Sequence, residues 1–180
     1  DFWQLFDNPR FMPQLHLPLQ SGCDSVLRRM ARRCKTGEFE RLVQQARRQV
    51  ADFNLTTDII VGFPGETDEE WRQTMDYVER IGFGHLHIFA YSPRPGTRAA
   101  AMPDAVPKQV IRARSQELHQ LGDHMKQQTL AAYIGRRLPV LVEARQQLTT
   151  PSWSGYTPNF LKVQIAGAPS EAMENSIRSV

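Results

Sequence analysis

The strongest constraint on the fold is an alternation: between positions 15 and 133, short apolar runs take turns with amphipathic segments. Leu15-His16-Leu17-Pro18-Leu19 reads as a strand ending at Ser21-Gly22, and Asp24 is placed to cap a helix through Leu27 and Met30. Thr36 is placed to cap a second helix, in which Phe39, Leu42, Val43, Ala46, Val50 and Phe53 make one apolar stripe. The continuous run Thr57-Asp58-Ile59-Ile60-Val61 predicts a strand buried on both faces. Gly62-Phe63-Pro64-Gly65-Glu66 then turns the chain into Thr67-Asp68-Glu69-Glu70. There, Thr followed three residues later by Glu is a capping box for a helix with Trp71, Met75, Val78 and Ile81 inward. Residues 85–91 make a third strand, 92–107 a loop rich in Pro, Gly and Ala, and 110–133 a long helix. Repeated strand–helix units at this spacing predict a parallel sheet, either open and doubly wound or a section of a barrel.

The composition shifts near Gly135, which divides the chain into an expected domain over 1–133 and a second over 134–180. In the second, 138–143 and 160–165 read as strands of a small antiparallel module. Between them lies an expected loop holding Trp153, Gly155 and Tyr156, and the tail from Ser170 is too short to complete a five-stranded barrel.

With 180 residues, 41% of them hydrophobic and 23% charged, the chain can bury a core without covalent staples. No aliphatic run approaches a membrane-spanning length, and no signal peptide is visible, so the expectation is a cytoplasmic protein with no membrane partner. The two cysteines, Cys23 and Cys34, make no disulfide scaffold and fit no common zinc or iron–sulfur spacing. A net charge of +3 does not by itself imply nucleic acid. The chain opens without Met, inside what reads as a helix ending at Asn8-Pro9, and the expectation is a fragment.

In parallel α/β sheets the working groups lie beyond the carboxyl ends of strands. Three such ends are legible: Gln20-Ser21-Gly22, Gly62-Phe63-Pro64-Gly65-Glu66-Thr67 and Tyr91-Ser92-Pro93-Arg94-Pro95-Gly96-Thr97. Gly62-x-x-Gly65 lacks the Gly-Lys-Ser/Thr of a phosphate-binding Walker loop. Asp58 stands in an otherwise apolar strand, where a carboxylate needs either a core hydrogen bond or a ligand. Arg32 and Arg33 end a helix, where cations suit the dipole. His85 and His87 share one strand face; a two-histidine metal site and a packed pair both fit that spacing. Between 28 and 48, eight basic residues face two acidic ones, as in a solvated helix face or an RNA-backbone footprint. Arg136, Arg137, Arg145 and Lys162, interleaved with Trp153, Tyr156 and Phe160, suit loop RNA and a small core equally.

Taken together, these segments resemble the methylthiotransferase branch of the radical S-adenosylmethionine (SAM) enzymes. The strings that carry the resemblance are Leu15-His16-Leu17-Pro18-Leu19-Gln20-Ser21-Gly22, Leu27-Arg28-Arg29-Met30-Ala31-Arg32, Thr57 through Thr67, and Tyr91 through Thr97, within residues 9–133. Beyond 134, Gly155-Tyr156-Thr157-Pro158-Asn159-Phe160 is similar to the start of a TRAM domain, a small RNA-binding β-barrel. Within the branch, the chain most resembles enzymes acting on N6-threonylcarbamoyladenosine at tRNA position 37. The isopentenyladenosine enzymes, and those acting on a ribosomal-protein aspartate, are close relatives.

The resemblance implies an α/β fold: the C-terminal half of a partial (βα)6 barrel, its fourth to sixth strands, followed by an incomplete antiparallel β-barrel. Gln20 would contact the SAM ribose, Arg32 the methionyl carboxylate and Asp58 a further SAM group, with Ile60 and Ser92 near the adenine or the reaction chamber. Arg136, Arg137, Trp153, Tyr156 and Lys162 would face RNA. The implied cofactors are SAM and two [4Fe–4S] clusters. The implied partners are a tRNA anticodon loop and an electron donor such as flavodoxin or ferredoxin.

Departures from the family pattern accompany this likeness. Cys23 stands where Ser is usual, Cys34 where an aromatic is usual, Ala31 where Asn or Gly is usual, and Ala90 where Pro is common. Neither cysteine belongs to the Cys-x-x-x-Cys-x-x-Cys loop that holds the SAM-cleaving cluster, so no catalytic residue or metal ligand is expected in this chain and it should be inactive alone. Two other readings remain: a non-catalytic RNA-binding protein, and an unrelated metal-dependent barrel enzyme using His85 and His87.

Overall fold

A computed structural model describes residues 2–146, 152–166 and 173–180. The alternation becomes β1 (Gln14–His16), α1 (Asp24–Arg29), α2 (Thr36–Gln49), β2 (Asn54–Val61), α3 (Asp68–Ile81), β3 (His85–Ala90) and α4 (Lys108–Ala131). The three strands form one parallel sheet in the order β1-β2-β3.

Ladder pairing of β1 stops at His16 rather than running to Leu19, because Pro18 has no N–H to donate. The chain still tracks β2: the Leu17 N–H donates to the Thr56 carbonyl at 3.0 Å, the Leu19 N–H to Thr57 Oγ1 at 3.0 Å, and Gln20 rejoins through a parallel bridge to Ile59.

Two helix starts also differ from the sequence reading. Cys23, not Asp24, is the N-cap of α1, and Lys35, not Thr36, is that of α2. The Asp24 carboxylate is spent across the turn, accepting the Thr36 N–H at 2.8 Å. It thereby satisfies an orphan donor of the second helix rather than of its own. The Thr67–Glu70 capping box of α3 is present in full, with bonds of 3.2 and 3.0 Å.

The core lies on one face of the sheet. Leu55, Ile59 and Val61 of β2 pack with Phe39 and Val43 of α2, Trp71, Val78 and Ile81 of α3, and Leu118 and Met125 of α4. The expected burial of β2 on both faces is corrected at its carboxyl end. Thr57, Ile59 and Val61 are buried, whereas Asp58 and Ile60, pointing the other way, are only half-buried. Successive side chains of a strand face opposite sides, and the helical core covers only one of them.

Beyond α4, strands β4 (Pro139–Gln146), β5 (Ser152–Tyr156), β6 (Lys162–Ala166) and β7 (Ser176–Ser179) form an antiparallel sheet ordered β6-β5-β4-β7. Trp153, Gly155 and Tyr156 thus sit in a strand, correcting the expected loop. Trp153 packs with Val142 and Met173. A Cβ at Gly155 would lie 2.1 Å from the Leu141 carbonyl oxygen, so this pairing requires glycine. The tail contributes β7, which makes four strands among the described residues. The two sheets are tied at their junction: Asn54 Nδ2 donates to the Asn159 carbonyl at 2.8 Å, Asn159 Nδ2 to the Tyr133 hydroxyl at 2.7 Å, and Arg136 to both Asp52 oxygens at 2.8 Å.

Candidate cofactor cleft

Gln20, Arg32, Asp58, Ile60 and Ser92, drawn from separate segments of the chain, line a single open cleft of about 640 Å³ at the carboxyl ends of the parallel strands. Phe63, Phe89, Tyr91, Arg94 and Thr97 complete much of its wall. Gln20 arrives there through a backbone that few residues adopt, with φ of 78°. Two hydrogen bonds to β2 hold it: its N–H donates to the Asp58 carbonyl at 2.8 Å, and its carbonyl accepts the Ile60 N–H at 2.9 Å. Strained backbone held by its neighbours is a feature of binding sites.

Arg32 is placed by the end of α1. Ala31 has φ of 57°, the Arg32 N–H donates to the Leu27 carbonyl at 2.9 Å, and the Ala31 N–H donates to that of Arg28 at 3.0 Å. This is a Schellman stop, which favours Gly or Asn at the left-handed position. Ala31 fills it at a strain cost of about 1 kcal/mol, and Arg32 follows directly into the cleft. Asp58 and Ile60 come from the half-buried face of β2, and Ser92 from the loop just past β3.

The loop after β2 is braced from outside the cleft. The Gly62 N–H donates to Glu66 Oε2 at 2.9 Å, and Arg114 of α4 reaches the same oxygen at 2.9 Å and Asp68 Oδ1 at 2.7 Å. Burial pushes the Glu66 carboxyl pKa up, against the lowering pull of the Gly62 N–H and Arg114. Gly62, at φ of 77°, passes so close to α4 that a Cβ would stand 2.3 Å from Ile111 Cγ1. On the other side, Arg29 grips Glu70 with two bonds and the Gly65 carbonyl with a third. The Arg29 guanidinium holds the Glu70 carboxyl down to about 2.

Chemically, the cleft offers two cations (Arg32 and Arg94), one carboxylate, a buried amide and several aromatic rings. Such a set suits a ligand bearing a carboxylate, hydroxyls or an ammonium group, and a flat ring. The basic run, by contrast, divides. Arg29 is engaged as above and Arg47 donates to the Ile81 and Gly82 carbonyls, while Arg28, Arg33 and Lys35 share a smaller depression with Arg32.

The residues expected to face RNA do not converge. Trp153 is 7% exposed and belongs to the module core, which leaves no ring face for a base. Arg136 is held by Asp52 and lies over the Tyr133 ring at 4.7 Å, tying the two sheets together. Arg137 and Lys162 are exposed. Tyr156 stacks on Phe160 at 4.7 Å, and both line a second cavity with Lys162, His16, His85 and His87.

His85 packs edge-on to His87, and His87 to His16. Burial, with His87 and Lys126 nearby, lowers the His85 pKa. Among the described residues, no group of three or more His, Cys, Asp or Glu side chains is arranged to hold a metal ion. Cys23 is buried and bonded to Gln73 and Ser25, and Cys34 is exposed. No helix among the described residues is long and apolar enough to cross a membrane.

Sequence reasoning missed Phe89, half exposed in the cleft, and the buried Arg114 brace. It also missed His16, whose Nε2 stands 3.3 Å from Asp58 Oδ1. His16 had a signal, since strand alternation puts it on the face of Gln14; Arg114, one of many charges on a long helix, had none.

Residues 4–78 match the Radical SAM superfamily. The chain is 44% identical over 136 residues to the tRNA-2-methylthio-N(6)-dimethylallyladenosine synthase of Thermobifida fusca, covering 76% of this chain and 28% of that protein. It is 44% identical over 163 residues to the synthase of the same name from Kineococcus radiotolerans (89% and 32%). Identity is 40% over 160 residues with the Threonylcarbamoyladenosine tRNA methylthiotransferase MtaB of Thermotoga maritima (89% and 36%). Among solved structures, coproporphyrinogen III oxidase (HemN) from Escherichia coli, described as a radical SAM enzyme, superposes with a TM-score of 0.56 at 21% identity. That superposition covers 68% of this chain and 30% of that one, and shows the fold. The chain therefore carries a partial radical SAM fold with a small β module, and it spans only about a third of the length of the tRNA-modifying proteins it is similar to.

Proposed function

We propose that this chain is part of a radical SAM tRNA methylthiotransferase, with residues 1–133 supplying one side of the SAM pocket and 134–180 an RNA-docking module. The observation that carries the reading is the convergence of Gln20, Arg32, Asp58, Ile60 and Ser92 on one cleft at the strand ends. The donor set fits SAM. Arg32 presents a planar fork to the methionyl carboxylate, Asp58 and Gln20 offer an acceptor and an amide to the ribose and ammonium groups, and Ile60 with the aromatic wall takes the adenine. Bound there and cleaved to methionine by one electron from a [4Fe–4S] cluster of the parent enzyme, SAM would supply a deoxyadenosyl radical for hydrogen removal from the substrate base, while this chain's residues orient it and exclude water. The cluster ligands of the proposed parent enzyme are not among Cys23 and Cys34, so the chain by itself is inactive. RNA contacts on the module fall to Arg137, Tyr156 and Lys162, and a flavodoxin- or ferredoxin-like donor and a cytoplasmic setting complete the reading.

The target we favour is C2 of N6-threonylcarbamoyladenosine at position 37, beside the anticodon, supported by the Gly155-Tyr156-Thr157-Pro158-Asn159 string and the relative from Thermotoga maritima. The relatives from Thermobifida fusca and Kineococcus radiotolerans favour a second target, dimethylallyladenosine. Nucleoside mass spectrometry of tRNA from a strain lacking the gene decides between them. Loss of the methylthio mark from threonylcarbamoyladenosine supports the first target and loss from dimethylallyladenosine the second; a full set of marks removes both.

A further inference from the structure

We infer that His16 is a positioning residue for the cofactor cleft: oriented by its bond to Thr56, which Gln14 in turn contacts, it stands against the Asp58 carboxylate at ion-pair distance and holds it aimed at the ligand. The inference rests on the SAM reading of the cleft and adds a residue that reading does not use.

Register puts the participants side by side. His16 pairs with Thr56 on β1 and β2, and Asp58 lies two residues further along β2, on the same face. His16 Nε2 is 3.3 Å from Asp58 Oδ1, His16 Nδ1 is 3.0 Å from Thr56 Oγ1, and Gln14 Nε2 donates to Thr56 Oγ1 at 3.3 Å. Proton bookkeeping along this row has one consistent solution for a neutral imidazole. An ionised carboxylate only accepts, so the contact at 3.3 Å favours the hydrogen on Nε2. Nδ1 is then the acceptor of a hydrogen bond donated by the Thr56 hydroxyl. The Thr56 oxygen, having donated, accepts from the Gln14 amide.

The ring is held laterally as well, since His87 from β3 meets it edge-on at 5.4 Å between centroids. The tautomer of His16 is thus favoured by groups on β2, and its tilt is set by His87 reaching across from β3. Asp58, only 24% exposed at its side chain, has one oxygen engaged and borders the cleft that Gln20, Arg32 and Ser92 also line. A carboxylate that must meet ligand donors gains from such an arrangement, because its rotamer is set before the ligand arrives. Hydrogen bonds behind a ligand-binding group serve the same purpose at metal sites.

The test uses this chain with SAM as the probe, in calorimetric titrations at neutral pH, together with ¹⁵N NMR of the imidazoles. The expected spectrum shows His16 as the Nε2–H tautomer in the wild type, and a mixture in Thr56→Val. His16→Phe should weaken SAM binding about fivefold, the loss of one polar contact behind Asp58 worth about 1 kcal/mol. His16→Gln, which keeps an N–H donor, should recover most of that loss at an unchanged Tm. An Nδ1–H tautomer in the wild type overturns the inference, as does equal SAM affinity of wild type and His16→Phe. If the wild type binds no SAM, or Asp58→Asn binds it as the wild type does, the cofactor reading falls and takes the ligand half of the inference with it. The tautomer result then still judges the orientation of His16 separately.

Discussion

The two faces of the parallel sheet are built from the same three strands, yet they do opposite work. On one face, Leu55, Ile59, Val61 and Leu86 are sealed under the helices. On the other, Gln14, His16, Asp58, His85 and His87 present polar groups, partnered across strands and bordering two cavities. The first face carries stability and the second carries the candidate chemistry. A strand's period of two lets one segment, such as Asp58-Ile59-Ile60, serve both at once. Substitutions on the two faces should therefore separate folding from ligand binding.

The largest effect is expected at the brace between β2 and α4. Arg114→Ala leaves the buried Glu66 carboxylate without its cation and should cost about 3–5 kcal/mol of unfolding free energy. Urea denaturation checks it, and a loss below 1 kcal/mol would show that Gly62 alone satisfies Glu66. On the sealed face, Ile59→Ala should cost about 2–5 kcal/mol through the cavity it opens. The same measurement on Asp58→Asn should register within about 0.5 kcal/mol of wild type, with SAM binding as the property that suffers. Comparable losses from both would end the division of labour between faces.

A smaller change of opposite sign is expected where α1 delivers Arg32. Ala31→Gly relieves the left-handed strain and should stabilise the chain by about 1 kcal/mol, raising Tm with the cleft intact. The smallest effect is one of pH. The Glu70 carboxyl is depressed to about 2 by Arg29, so the stability it contributes is fully present above its unfolded value near 4.5. That contribution drains away as pH falls from there through about 2. Wild type and Glu70→Gln should thus converge in stability over this window; parallel acid-denaturation curves would argue that Arg29 finds another partner.

Much of the site was legible because its residues lie in strings that are themselves local. Strand ends at Gln20, Val61 and Tyr91, and the capping box at Thr67, follow from short-range rules that operate within a few residues. The module was harder to read. Trp153 and Tyr156 are separated by two small residues, and a Ser-Trp-Ser-Gly-Tyr run looks like a turn until Val142 and Met173 are brought across to cover the indole. Arg136 looked like an RNA contact, yet its partner, Asp52, lies 84 positions away.

Over residues 15–133 the sequence by itself determined the order of strands and helices, the parallel sheet and the places where loops gather at its carboxyl end. Those follow from periodicity and turn chemistry, which act locally. Only the tertiary structure decided that Asp24 serves the neighbouring helix, that Arg114 closes on Glu66, and that His16 stands behind Asp58. Each of these joins segments far apart in the chain. Which charge meets which is set by register and packing, and no local pattern records it.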